Sequence, residues 1–174
     1  LHFDHIGGNT RMDGEKVVPT FSNATYWISQ DNWQLANHPS QKDQGSFLEW
    51  DWIVLAENNM LNIVNGDEPF LPGIDLYFTH GHTKGLMHPL IRDDQATLFY
   101  CADLVPMAAH IPVPWVMAYD IHPALTVQEK EELLPRMVKE NWILFFEHDP
   151  YLQACTIKMD GKHYCIQDPV VISD

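Results

Sequence analysis

Histidine and aspartate stand close together at the start of the chain, in the pattern His2-x-Asp4-His5 followed by Gly7-Gly8. Imidazole and carboxylate together suit zinc, iron or manganese, and the lack of a thiolate in the motif argues against a structural zinc finger. If the segment is extended, His2 and Asp4 point the same way and His5 begins a tight turn. The two glycines would let the backbone pass close to the site. We therefore predict metal ligands in these first residues.

Three later polar groups each follow an apolar run that reads as a strand. The segment 75–78 leads into Gly81-His82-Thr83-x-Gly85, the segment 96–101 leads into Asp103, and the segment 142–146 leads into His148. Near-continuous apolar strands are typical of sheets covered by helices. Because each strand ends at a polar residue, we expect His82, Asp103 and His148 to gather at one edge of a sheet.

The remaining elements are less clearly marked. A strand is predicted over residues 17–30, and helical turns and loops over residues 31–66. Thr126 with Glu129 three positions later forms a capping-box pattern, which predicts the start of a helix with Glu129 in its acidic first turns. Pro135 should kink or split that helix. Together these elements predict the α/β class.

The three cysteines, Cys101, Cys155 and Cys165, do not form the framework of a disulfide-rich protein. Asp160-Gly161 predicts a hairpin turn, in which Thr156 faces Cys165 and Cys155 faces Ile166. The two thiols then point to opposite faces, so a disulfide is not expected. Free thiols fit a reducing compartment and favour a cytoplasmic location.

The composition excludes several classes of protein. The chain has 174 residues, 45% of them hydrophobic, with Lys+Arg 10 against Asp+Glu 24 and a formal net charge of −14. So few cations argue against a nucleic acid as partner. No apolar run reaches the roughly 18–20 residues of a membrane span. A small-molecule substrate is the partner that we expect.

The ordered motifs resemble those of the metallo-β-lactamase superfamily: His-x-His-x-Asp-His, then Gly-His-Thr-x-Gly, then Gly-Asp, then a late His. All four occur here in order. The resemblance implies an αββα sandwich and a single domain over residues 1–174, without the strands that precede the first metal motif. The motif's first His would stand one residue ahead of Leu1, so we expect that an N-terminal segment is missing. Ala102 replaces the glycine before Asp103, a change expected to be tolerated.

The resemblance also implies two divalent metal ions, zinc first, with iron or manganese as alternatives. The missing His would hold one ion with His2 and His82, while Asp4, His5 and His148 hold the second and Asp103 bridges both. A hydroxide between the ions would be the nucleophile, and Asp4 would orient it. These roles make Asp4 and Asp103 the catalytic residues.

Two local segments are similar to the quorum-quenching lactonase and methyl parathion hydrolase group. They are Pro19-x-Phe21-x-Asn23-Ala24-x-Tyr26 and the run from Asp103 to Asp120, which contains Pro114-Trp115-Val116-Met117-Ala118-Tyr119-Asp120. The similarity implies hydrolysis of lactone or related ester bonds, or of phosphotriesters. The tyrosine that some lactonases carry shortly after the bridging Asp has no counterpart in Leu104-Val105-Pro106. The alternatives are a phosphodiesterase or nuclease on the same scaffold, and a metal-depleted homologue without catalysis.

Several other side chains were open to two interpretations. His88 is interpreted as structural or as supporting a metal ligand rather than binding metal, and His80 is interpreted as structural. Asp120, His110 and His122 would either touch substrate or belong to a packed crossover loop. Four tryptophans could line a pocket or the face of a homodimer: Trp27, Trp33, Trp50 and Trp52.

Overall fold

The structure is a computed structural model that describes residues 1–66 and 70–172. Contacts divide the chain into two compact units, Leu1–Asn65 and Gly66–Asp174. The single domain expected over residues 1–174 stays a prediction. Among the residues that the structure describes, no helix is both long and apolar enough to cross a membrane.

The first unit combines short helices with two small sheets. Its helices are α1 (Phe3–Ile6), α2 (Gln30–Asn37) and α3 (Ile53–Glu57), and its strands are β1 (Thr10–Asp13), β2 (Lys16–Pro19), β3 (Tyr26–Ser29) and β4 (Leu61–Val64). Strands β1 and β2 form an antiparallel hairpin, while β3 and β4 pair in parallel. Ser29 ends β3 and caps α2 by accepting a hydrogen bond from the Asn32 N–H at 3.0 Å. Phe47 and Trp52 lie in the core of this unit.

Two expectations for the first unit are corrected. The strand predicted over residues 17–30 is two strands, β2 and β3, which lie in different sheets. Residues 31–66 contain a strand, β4, that was expected to be loop or helical turn. Its four residues, Leu61-Asn62-Ile63-Val64, are too few to show a clear alternation of apolar and polar side chains.

The second unit is built on one six-stranded sheet with the order β10-β9-β8-β7-β6-β5. Its elements are β5 (Ile74–Thr79), β6 (Leu86–Arg92), β7 (Thr97–Tyr100), α4 (Pro123–Lys139), β8 (Ile143–Phe145), β9 (Ala154–Asp160) and β10 (His163–Val170). The three strands predicted before the polar motifs correspond to β5, β7 and β8. Among the described strands of this sheet, β7 and β8 alone pair in parallel, and the crossover that joins them contains α4. Strand β6 runs antiparallel to both of its neighbours, so β5, β7 and β8 end at the same edge.

Helix α4 begins earlier than predicted and is not split. Pro123 occupies its first turn, where a missing N–H costs nothing. Thr126 therefore lies inside the helix, and its N–H donates to the carbonyl of His122. The predicted capping box is wrong, because the Glu129 carboxylate instead accepts hydrogen bonds from the His80 and Gly81 N–H groups. The helix continues through Pro135 to Lys139.

The final hairpin has a different register from the one predicted. Cys165 pairs with Lys158, Ile166 pairs with Ile157, and Cys155 pairs with Pro169 beyond an irregularity in the ladder. The difference begins at the turn, because His163 pairs with Asp160 and the two turn residues are therefore Gly161 and Lys162, one position later than predicted. All three cysteines are free.

Aromatic side chains form the centre of the core in the second unit. Phe99 of β7 stacks on Trp142 with ring centroids 5.7 Å apart, and Tyr77 of β5 meets both rings edge-on. Such pairs add stability beyond the area that they bury. The core thus holds β5, β7 and β8, the strands that carry the polar motifs, in a fixed relation.

Candidate metal centre

His82 lies just beyond β5 and is held between two carboxylates. Its Nε2 lies 3.1 Å from Oδ2 of Asp103, and its Nδ1 lies 3.0 Å from Oδ1 of Asp120. His82 is 3% exposed, Asp103 4% and Asp120 1%. The imidazole is therefore fixed in orientation by groups on two other segments, and its Nε2 faces Asp103.

The electrostatics of this trio favour a positive charge at the imidazole. Burial lowers the pKa of His82, but the hydrogen bonds and negative charges of Asp103 and Asp120 outweigh it and raise the pKa to about 9. A cation bound at Nε2 would take the place of that proton. Buried imidazole and carboxylate oxygen are a donor set that zinc, iron and manganese accept.

Asp103 lies between two imidazoles. Its Oδ2 faces His82, and its Oδ1 lies 3.3 Å from Nε2 of His148. Asp103 belongs to the 3₁₀ turn Ala102–Leu104 after β7, and His148 follows β8. Because β7 and β8 are parallel neighbours, their carboxyl ends bring the two side chains together. The sequence prediction that His82, Asp103 and His148 share one edge of a sheet agrees with this geometry.

Ala102 explains why a glycine is expected before Asp103. Its φ is +42°, in the left-handed region, where an L residue other than glycine is strained by about 1–2 kcal/mol. The alanine is accommodated here, at a cost in local conformational energy.

Glu147 is a candidate ligand that the sequence analysis missed. Ligand atoms of Asp103, Glu147 and His148 all lie within 4.8 Å of one another. The Tyr100 hydroxyl donates a hydrogen bond to the Glu147 carboxylate, and burial together with that carboxylate raises the pKa of Tyr100. The available signal was the position of Glu147, directly between the apolar strand and His148.

Asp120 is the second residue whose role was missed. Of the two interpretations given above, the packed loop fits: Asp120 is buried and bonds His82 rather than facing outward. A carboxylate on the second nitrogen of a ligating histidine fixes its tautomer and raises its basicity. The sequence placed Asp120 in a recognisable segment, but no spacing rule connects it with His82.

The other two histidines near this edge are structural. His88 is fully buried, stacks on Phe99, and its Nε2 lies 2.7 Å from Oγ1 of Thr79. Burial lowers the pKa of His88 to about 4, so the ring is neutral near pH 7. Nδ1 of His80 accepts a hydrogen bond from the Gly85 N–H at 3.1 Å and closes the loop that carries His82.

The first unit carries the remaining predicted ligands at the start of helix α1 and within it. His2 precedes α1 with extended backbone, whereas Asp4 and His5 lie within α1. The expectation of an extended segment through Asp4 is therefore wrong. Nε2 of His5 lies 3.8 Å from Oδ2 of Asp4, and the His2 ring meets Phe47 edge-on with centroids 4.8 Å apart. In a helix, side chains three or four positions apart share a face, whereas in a strand those two positions apart do. Asp4 therefore does not point the same way as His2 by strand alternation.

The four tryptophans of the first unit differ in exposure. Trp52 is in the core and Trp33 packs against it, whereas Trp27 and Trp50 are exposed. Trp50 borders a cavity of about 450 Å³ whose wall also includes Met12, Val17 and Arg11. For Trp50, the interpretation as a pocket residue therefore has structural support.

Comparison with known proteins identifies the family. The sequence profile of the metallo-beta-lactamase superfamily matches residues 1–148. The chain belongs to this superfamily. The predicted family and its metallo-β-lactamase-like α/β fold are thus confirmed, and motifs at His2–His5, His82, Asp103 and His148 all fall within the matched residues.

Individual relatives of this superfamily chain include lactonases and hydrolases. An N-acyl homoserine lactonase of Bacillus cereus is 28% identical over 86% of this chain and 53% of its own length. A solved structure of a probable metal-dependent hydrolase from Staphylococcus aureus matches with a TM-score of 0.83 and 26% identity, covering 98% of this chain and 61% of that one. AidC, a dizinc quorum-quenching lactonase, matches with a TM-score of 0.73 and 17% identity over 90% of this chain and 58% of that one. The chain spans about half the length of the curated relatives it matches.

Proposed function

We propose that this superfamily chain carries a dinuclear metal centre and hydrolyses lactone or related ester bonds. The observation that carries the proposal is the position of Asp103. Each of its carboxylate oxygens faces the Nε2 of a different histidine, His82 on one side and His148 on the other. A carboxylate in this position can serve two cations, one through each oxygen.

The proposed ligands are those that the motifs indicate. His2 and His82 would hold one ion, Asp4, His5 and His148 the other, with Asp103 shared. Glu147 lies close enough to Asp103 and His148 to contribute to the second group. Divalent ions bound there would supply a hydroxide near neutral pH and polarise the bond under attack. Zinc is the first choice, supported by the dizinc lactonase among the structural relatives, and iron or manganese have the same ligand preferences.

The chain's own residues orient the ligands and handle protons. Asp120 lies at Nδ1 of His82 and would keep Nε2 directed at Asp103, so that a bound cation could take the place of the Nε2 proton. The Tyr100 hydroxyl holds Glu147 in place. Asp4 is the most exposed carboxylate of the set, and we assign it the role of orienting the nucleophile and accepting its proton.

The proposed substrate class is supported by the relatives and by a cavity in the first unit. Acyl-homoserine lactones come first because the curated relatives are lactonases, and aryl esters and phosphotriesters come next. The cavity beside Trp50 and Met12 would receive an apolar part of a small molecule. The free cysteines fit a cytoplasmic location, and the exposed Trp27 leaves a homodimer face as part of the proposal.

Metal content and hydrolysis are measured on the same full-length, metal-loaded protein. We expect two ions per chain by elemental analysis and turnover of at least one of three probes: an acyl-homoserine lactone, an aryl ester or a phosphotriester. Asp103→Asn should reduce metal content and activity together. His163→Ala changes an exposed histidine of the β9–β10 hairpin and should leave both unchanged.

Two results would contradict the proposal in different ways. No bound metal in the wild-type protein would indicate a metal-depleted homologue. Two bound ions with hydrolysis only of phosphodiesters or nucleic acid would reject the lactone and ester assignment while keeping the metal centre.

A further inference from the structure

Two adjacent residues of α4, Glu129 and Lys130, bind the two loops that carry His82 and Asp120. We propose that they are positioning residues, which hold the His82–Asp120 pair in the geometry that a metal ligand needs. The inference rests on the proposed metal centre for its functional meaning. The contacts themselves lie wholly within the second unit.

Glu129 holds the loop that carries His82. Its Oε1 accepts a hydrogen bond from the His80 N–H at 2.5 Å, and its Oε2 accepts one from the Gly81 N–H at 3.1 Å. Both carboxylate oxygens are thus used on consecutive backbone groups next to His82. Hydrogen bonds to an ionised acceptor are stronger than neutral ones, so this loop is held firmly.

Lys130 holds the loop that leads to Asp120. Its side chain is fully buried, and its Nζ donates to the carbonyls of His110, Pro112 and Trp115 at 2.6, 2.8 and 2.8 Å. An ammonium has three N–H donors, and all three are accounted for by these carbonyls. Burial lowers the pKa of Lys130 to about 8, so at pH 7 the group is mainly protonated and keeps all three donors.

The two loops are also joined to each other. The Ile121 N–H donates to the His82 carbonyl at 3.0 Å, and the His122 N–H donates to the Gly81 carbonyl at 2.8 Å. The 3.0 Å contact between His82 and Asp120 is therefore one rung of a connected network. Glu129 connects the His82 side of that network to α4, and Lys130 connects the Asp120 side to the same helix.

This arrangement differs from what stability alone would select. A buried ammonium or carboxylate is expensive to desolvate, and an apolar side chain of similar size often stabilises a fold as well or better. Lys130 is fully buried and Glu129 partly buried, and both charged groups bind backbone groups of the two loops. Because these loops carry His82 and Asp120, loss of either anchor should disturb the metal ligand as well as the fold.

The variants are Glu129→Gln, which keeps one acceptor oxygen, and Lys130→Gln, which keeps two N–H donors. Controls on exposed positions of the same helix are Glu132→Gln and Lys139→Gln. Zinc affinity is measured by competition with a chelating dye. The Co²⁺-substituted absorption spectrum reports ligand geometry, and urea unfolding reports stability. We expect the two test variants to lose about 10–100-fold in zinc affinity, as for other residues behind a metal ligand, and to alter the cobalt spectrum. The controls should match wild type.

A second readout needs no metal. In the metal-free protein, the proton shared by His82 Nδ1 and Asp120 should give a downfield ¹H NMR signal, which is identified by its loss in Asp120→Asn. We expect this signal to shift or broaden in both test variants and to stay unchanged in both controls.

The outcomes separate the two proposals. If wild type binds no zinc but the NMR signal moves in the test variants, the metal centre is rejected and the positioning role stands. If wild type binds zinc and the folded test variants keep its affinity, cobalt spectrum and NMR signal, the positioning role is rejected. Should Lys130→Gln fail to fold, the conservative Glu129→Gln decides.

Discussion

Replacing Gly81 by alanine should disturb the site through one packing contact. Gly81 immediately precedes His82, and its α-carbon faces the start of α4. A Cβ added there would lie 2.4 Å from the backbone nitrogen of Thr126, 2.4 Å from its Oγ1 and 2.6 Å from its Cα. Two of these three atoms are backbone, so no change of side-chain rotamer can relieve the overlap.

The size of the effect follows from these distances. Cβ atoms essentially never approach another atom closer than 3.0 Å, so the loop and α4 must separate by at least about 0.6 Å. Overpacking of a well-packed contact costs about 1–3 kcal/mol. The same movement stretches the 3.1 Å hydrogen bond from the Gly81 N–H to Glu129, and weakening a bond to a charged acceptor adds about 1 kcal/mol. The expected loss in the free energy of unfolding is about 2–4 kcal/mol.

Urea unfolding of metal-free wild type and Gly81→Ala, followed by tryptophan fluorescence, measures this loss. The control is Gly45→Ala, where an added Cβ meets nothing within 4 Å, and it should change stability by less than about 0.5 kcal/mol. Truncating the neighbour with Thr126→Ala should not rescue Gly81→Ala, because the backbone nitrogen remains in place. A Gly81→Ala protein as stable as the control would refute the reasoning, since the contact would then be softer than the packing indicates.

Three further changes have expected results that the same unfolding assay can check. Ala102→Gly should stabilise the protein by up to about 1 kcal/mol, because it removes the left-handed strain at φ +42°; a loss of stability would show that the buried methyl matters more. Burial lowers the pKa of His88 to about 4 in the native state, below its ordinary 6.5. Between pH 6.5 and 4 the unfolded state therefore binds a proton at His88 that the native state does not bind, and the free energy of unfolding falls as the pH drops through this range. His88→Asn should remove up to about 3 kcal/mol of that decline, and parallel pH profiles for the two proteins would contradict it. Asp149→Ala removes an acceptor of three backbone N–H groups and should cost about 1–3 kcal/mol, whereas an unchanged urea midpoint would show that water replaces the carboxylate.

The part of the site that could be predicted from sequence is the part that lies at strand ends. His82, Asp103 and His148 each follow a recognisable apolar run, and parallel or same-direction strands bring such ends to one edge. The order of the motifs along the chain then indicated the superfamily and, with it, metal-dependent hydrolysis. Local pattern and general topology are sufficient here, because the position of each candidate ligand is fixed by the end of its own strand.

Asp120 and Glu129 could not be predicted because their roles depend on contacts between distant segments. Asp120 bonds a residue 38 positions away, and Glu129 bonds backbone groups 49 and 48 positions away. Glu129 also fitted a local interpretation as the acidic first turn of a helix. The local pattern was genuine but incomplete, since the helix begins at Pro123 and leaves Glu129 free to serve another loop.

Strand β6 and the register of the β9–β10 hairpin could not be predicted from the sequence, and each has a physical explanation. Strand β6 contains a buried histidine and a proline, His88 and Pro89, which break the alternation expected of a strand. Its buried histidine is accommodated only because Thr79 of β5 and the carbonyl of Tyr100 satisfy the ring nitrogens. The hairpin register differs from the predicted one because Gly161 and Lys162 form the turn instead of Asp160 and Gly161.

The buried charges of the second unit support a functional interpretation over a purely structural one. Asp103 and Asp120 are almost fully buried on opposite sides of one imidazole. Two carboxylates so placed repel each other and lose their hydration, so the fold alone gains little from them. A positive charge at His82, whether a proton or a cation at Nε2, removes most of that penalty. Nearby, Lys130 is buried with its charge directed at backbone carbonyls. The proposed role of His82 as a metal ligand gives the fold a reason to retain the three buried groups Asp103, Asp120 and Lys130.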